Sequence, residues 1–159
     1  KQQDSQESPG HLYAKMAMAY ARLQQHKLAA DTARRAAAES PDSAEIQYQM
    51  GILLQTAGQV EAAIACYQRA IQLNADDVAS RINLGILWGQ TGKVHDSIGG
   101  LREAVERQPG NAIAHLNLGI SLRADGQQQA AINAFEKAVE LAPGNDAARV
   151  QLQRTQTNP

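Results

Sequence analysis

The sequence predicts an all-α chain built as a stack of antiparallel helix pairs, and three observations carry that reading. The tetrapeptide Asn-Leu-Gly-Ile stands at 83–86 and again at 117–120, 34 residues apart, and the stretches that follow keep the same register. Steps of 34 also align columns of very small residues, Ala17, Gly51, Gly85 and Gly119 in one and Ala36, Ala70, Ala104 and Ala138 in another. Aromatic residues make up 4% of the chain, too few for the core of a sandwich or barrel and suited to small-residue packing between helices.

Each 34-residue unit reads as a cap, a first helix, a glycine stop, a second helix and a proline. The caps are Ser43, Asp77, Asn111 and Asn145, whose side chains accept hydrogen bonds from the first free amides of a helix. Pro41, Pro109 and Pro143 stand just before them, with Ala75 the exception, and mark where the preceding helix has stopped. Ile46, Met50 and Leu54 have helical spacing, as do Val60, Ile64, Tyr67 and Ile71. Between the two runs, Gly58 and its column mates Gly92 and Gly126 suit the left-handed conformation that ends a helix. Helices joined by so short a turn lie antiparallel, and a Gly or Ala at the closest point lets their backbones approach.

In chain order, unit one is 10–43, unit two 44–77, unit three 78–111 and unit four 112–145. A capping helix over 146–156 follows, with polar tails at 1–9 and 157–159. Unit one departs most from the pattern. Ala33 stands where the sister helices carry Tyr67, Leu101 or Phe135, and Gln24 stands where they carry glycine, so this end is expected to pack more loosely. Met16 joins Met50, Leu84 and Leu118 in the large apolar column of the first helices, and Trp88 shares a core column with Tyr20, Leu54 and Leu122. In unit three, Gly99-Gly100 lies inside the second helix at about 1 kcal/mol per glycine relative to alanine. It reads as a tolerated surface defect in preference to a close backbone approach. Gln153 takes the small-residue column of the last helix, as befits the polar cap of a stack.

Units of this length and small–large pattern resemble the tetratricopeptide repeat, over about residues 10–145. The resemblance implies a right-handed α-solenoid, a superhelix whose concave surface is lined by the first helices. Columns off the core then face a groove. One is Met18, Ile52, Ile86 and Ile120; another is Ala14, Tyr48, Ile82, Leu116 and Val150. Part of this apolar stripe must pack between neighbouring first helices, and the remainder forms a binding patch.

Beside the stripe run Lys15, Gln49, Asn83, Asn117 and Gln151, four of them amides. A carboxamide offers donor and acceptor together, which suits the main chain of an extended peptide. The column resembles the asparagine ladder in the repeat region of O-GlcNAc transferase, with a solvated polar face as the competing reading. The lysine–asparagine–arginine clamp with which some family members hold acidic chaperone tails is not matched. Asn83 fits its middle position, but Tyr48, Ile52, Ile113 and Asn117 occupy the supporting ones. Arg123, with Arg22 and Arg154, adds modest positive charge opposed by Glu45.

No catalytic constellation assembles. His11, His26, His95 and His115 are scattered over different units without metal-ligand spacing, so neither metal nor cofactor is expected. The GxxxG of Gly85–Gly89 lies in a capped helix too polar for the membrane role of that motif. Cys66 is the single cysteine and reads as an inert, partly buried thiol. A net charge of −1 gives no case for nucleic acid or anionic lipid, and no apolar run approaches the ~20 residues of a membrane span. The chain opens on Lys1, as a fragment or a processed form does. The compartment stays open, the expectation being a soluble protein of the cytoplasm or, if a leader has been removed, of the periplasm. The expected function is a non-catalytic scaffold or adaptor whose groove binds an extended, mainly apolar peptide or a partner helix. Its expected contacts are Lys15, Met18, Tyr48, Gln49, Ile52, Ile82, Asn83, Ile86, Leu116, Asn117, Ile120 and Gln151 of the three groove columns, with Arg123 beside them. The alternatives are a self-associating assembly domain and the recruiting domain of a larger enzyme.

Overall fold

The computed structural model describes residues 8–157, so the expectations for the tails at 1–7 and 158–159 lie outside it. The described residues form nine helices and no strand. They are α1 (Pro9–Arg22), α2 (His26–Glu39), α3 (Ala44–Thr56), α4 (Val60–Leu73), α5 (Val78–Gln90), α6 (Val94–Arg107), α7 (Ala112–Ala124), α8 (Gln128–Leu141) and α9 (Asp146–Thr157). The chain falls into two compact units that divide after Asp77.

Three of the predicted caps close their helices by side chain. Ser43 Oγ accepts from the Ile46 amide at 3.3 Å, Asn111 Oδ1 from Ala114 at 3.0 Å and Asn145 Oδ1 from Ala148 at 3.1 Å. The turns inside the pairs share one geometry. Gly58, Gly92 and Gly126 have φ of 72°, 81° and 77°, and Gln24 adopts φ 57° at the same place despite its side chain. The amide after each of them bonds back to the first helix, Gln25 to Tyr20 O and Gln59 to Leu54 O in the first unit. Lys93 to Trp88 O and Gln127 to Leu122 O repeat the bond in the second, giving the end-of-helix motif that a left-handed residue permits.

In the first unit α1 packs on α2 and α3 on α4, and α3 also meets the first pair. A Cβ on Gly51 would sit 2.7 Å from the Tyr67 ring, so glycine there is a condition of the close approach. In the first pair Ala17 and Ala33 occupy the columns of Gly51 and Tyr67, and both are fully buried. The expected loose packing is therefore corrected at these two positions. What unit one leaves bare is an outer face. Met16, expected in the core, is 37% exposed, although Met50 one unit on is fully buried, and Leu12 is 53% exposed. Gln47 Nε2 donates to Ala37 O and Ser40 O, so it satisfies carbonyls at the end of α2 that the helix leaves open.

The second unit is built around Ile82, Ile98, Leu101, Leu118, Leu122 and Phe135. A Cβ on Gly85 would meet Leu101 Cγ at 2.7 Å, and one on Gly119 would meet the Phe135 ring at 2.6 Å. Gly99 faces open space, but a Cβ on Gly100 would lie 3.2 Å from the Trp88 ring. Of the paired glycines, one is the surface defect and the other makes room for an indole. The capping helix runs one residue past its expected end, to Thr157. It is held by Leu152 on the core, by the buried Thr155, and by Gln128 Nε2, which donates to Thr155 O.

Candidate functional site

Within the second unit, α5 and α7 pack together and leave a cleft of about 250 Å³. Ile86, Gly89 and Gln90 line it from α5, and Asn117, Ile120 and Ser121 from α7. Two small residues open it. Ser121 stands in the column of Leu53 and Leu87, and Gly89 in that of Gln55 and Arg123, so two large side chains are missing at one place. Behind the lining residue Ser121, Ser97 Oγ donates to Gly85 O at 2.6 Å and lies 2.7 Å from Ser121 Oγ. Ser97 is fully buried and Ser121 nearly so.

Of the groove residues expected from sequence, Ile86, Asn117 and Ile120 come together here, the isoleucines as walls and the carboxamide beside them. Asn83 is half-buried on α5. Ile82 is corrected from groove to packing, because it belongs to the buried cluster; Leu116, like Ile86, is half-buried and packs against that cluster. Arg123 is corrected too. Its Nη1 donates to Gln151 Oε1 at 2.6 Å and its guanidinium lies 6.0 Å from the Phe135 ring centre, so Arg123 and Gln151 clasp α9 to α7.

In the first unit, Lys15 and Ile52 are exposed, Met18 and Gln49 are half-buried, and Tyr48 tilts against Tyr67 with ring centres 6.2 Å apart. The amide column is not a free ladder. Gln49 Nε2 donates to Glu45 Oε1 at 3.1 Å and Asn117 Nδ2 to Ile113 O at 2.8 Å. That bond uses one N–H of Asn117 and leaves its oxygen and second N–H outside it.

Gly89, Gln90 and Ser121 were not among the expected site residues. The available signal was a gap in two columns, Ser121 where Leu53 and Leu87 stand and Gly89 where Gln55 and Arg123 stand, although the first repeat also carries small residues there, Ala19 and Ala21. Cys66 offers no nucleophile, because burial pushes its thiol up to about 11. Among the described residues no group of three His, Cys, Asp or Glu side chains could hold a metal ion, and no helix is long and apolar enough to cross a membrane.

Family models described as tetratricopeptide repeat match residues 89–146 and 15–43, and one described as TPR repeat matches 56–92. No curated protein matches the sequence. Solved structures do match in fold. MamA from Desulfovibrio magneticus RS-1 superposes with a TM-score of 0.85 at 22% identity, over 96% of this chain and 86% of that one. YrrB, described as a TPR protein with an unusual peptide-binding site, gives 0.82 at 23% identity over 92% and 75%. The first TPR of Spaghetti (RPAP3), bound to an HSP90 peptide, gives 0.70 at 19% identity over 72% and 90%. With the repeat found in the sequence on both sides of the unit boundary and in the backbone of nearly the whole chain, this protein belongs to the tetratricopeptide repeat family.

Proposed function

We propose that this chain is a non-catalytic protein-interaction module that holds an extended, mainly apolar peptide against its first helices, with repeats at 10–43, 44–77, 78–111 and 112–145. The observation that carries the reading is the α5–α7 cleft, where two isoleucine walls stay open beside two carboxamides. Solvent-facing surface of a helix is ordinarily polar, and an open apolar recess of this kind is stabilised by a partner's side chain. The peptide-bound Spaghetti repeat and the peptide-binding site of YrrB support the reading by likeness of fold. No cationic clamp lines the cleft, so its ligand is selected by apolar contact and main-chain hydrogen bonds.

The test is selection from a displayed random-peptide library on the parent and on the double variant Ile86→Glu, Ile120→Glu. A set of apolar peptides enriched by the parent and lost by the folded variant is expected. A parent that enriches nothing above background overturns the groove reading.

A second reading, self-association, is favoured by the exposed apolar side chains of the first pair, Leu12, Met16, Leu23 and Leu28. Sedimentation velocity over a wide concentration range decides it. A concentration-dependent dimer abolished by Leu12→Glu, Met16→Glu supports it, and a strict monomer removes it.

A further inference from the structure

We propose that the α5–α7 cleft selects an apolar ring that carries a hydrogen-bond donor, an indole or a phenol, so that a tryptophan or tyrosine of the bound peptide is its ligand; this rests on the peptide-binding reading above.

Size comes first. At about 250 Å³ the recess lies below the ~300–1,000 Å³ of small-molecule sites and accommodates one large side chain. Its walls are Ile86 and Ile120, apolar surfaces suited to the body of a ring. Glycine at position 89 keeps the floor uncovered, because a Cβ there would already lie 3.2 Å from Ser97 Oγ and 3.6 Å from Ser121 Oγ.

The polarity of the floor follows from counting protons. A carbonyl oxygen only accepts, so the bond between Ser97 Oγ and Gly85 O uses the one proton Ser97 has. The 2.7 Å contact between the two serines then requires Ser121 to be the donor and Ser97 the acceptor. Ser121 is left with lone pairs and no proton, and it lines the cleft. The floor therefore asks for a donor. A leucine or phenylalanine leaves the lone pairs of that oxygen unmatched, and a carbonyl or carboxylate meets it acceptor to acceptor. A lysine ammonium would be a donor, but none of the six lining residues is charged, so it would be desolvated without a counter-ion. Indole N–H and phenol O–H satisfy walls and floor together. Gln90 and Asn117 carry carboxamides for the adjoining peptide bonds. The two preceding repeats do not share the hydroxyl at 121, since its column is leucine at 53 and 87.

The probes are 3-methylindole and 1,3-dimethylindole, a pair that differs by the N–H, titrated by NMR into the full chain and into Ser121→Ala. That substitution leaves the Ser97 to Gly85 bond in place and strands no donor, and amide spectra verify the fold. In the parent, 3-methylindole is expected to shift the amides of Gly89, Asn117 and Ser121, and its N-methyl analogue to bind ~3- to 10-fold more weakly. Ser121→Ala should bring the ratio close to one by weakening 3-methylindole alone. Equal affinities in the parent, or a ratio unchanged by Ser121→Ala, overturn the donor rule. Absence of shifts at those amides overturns the cleft as a ring receptor. The library selection is a separate readout: peptides enriched without tryptophan or tyrosine leave the groove reading standing and remove this one.

Discussion

At Gly119 the missing side chain is a matter of distance. Its Cβ would fall 2.6 Å from a Phe135 ring that is fully buried and has no room to swing aside. Gly119→Ala is expected to destabilise the chain by about 1–3 kcal/mol, the range for overpacking a filled core, read as a lower denaturant midpoint at unchanged slope. Gln24 is the opposite case. It holds φ 57° where the other three turns have glycine, and Gln24→Gly should raise stability by about 0.5–1 kcal/mol through relief of left-handed strain. Both positions were legible as columns, because a repeating backbone imposes the same steric demand every 34 residues. The first pair was legible only in half: sequence showed Ala33 in place of a large residue and Ala17 in place of glycine, while the full burial of both needed the structure. Ser121 was less legible still, because its meaning lies in a proton shared with Ser97 and Gly85, and a periodic pattern records size and polarity without partners.

At the scale of elements, caps and stops place the helices and long side chains join them. The capping helix shows how a column can mislead. Gln151 stands in the amide column by spacing and Arg123 was expected beside the groove, yet Arg123 donates to Gln151 across α7 and α9, with Thr155 alongside. A column states which face of a helix a residue occupies, and at the end of a stack that face meets the cap instead of a ligand. Arg123→Met is therefore expected to loosen α9 in particular. Hydrogen exchange of the α9 amides should quicken several-fold while those of α5 and α6 keep their protection. Uniform quickening through the second unit would show that Arg123 supports the core and has no special tie to the cap. The amide column teaches the same lesson in the first unit, where Gln49 turns to Glu45 on its own helix.

Across the whole molecule, short-range contact sets the energetics. Repeat arrays are stabilised by each repeat and its neighbours, so damage to one part reaches a distant part only in proportion to the coupling between them. Cys66 offers a way to read this. It is the single cysteine, buried on α4, and desolvation holds its thiol at about 11, so at pH 8 a thiol reagent meets almost no thiolate until the first unit opens. Met50 is fully buried in that unit and Phe135 in the other. Truncation of either to alanine is expected to cost at least about 2 kcal/mol locally. When reclosing outpaces labelling, the rate follows the open population, so Met50→Ala should speed modification of Cys66 by ~30-fold or more, while Phe135→Ala should speed it far less. Equal acceleration by the two would mean that the chain opens as one cooperative body. The additive picture would then fail, and a ligand seated in the α5–α7 cleft would protect Cys66 as strongly as one bound on the first unit itself.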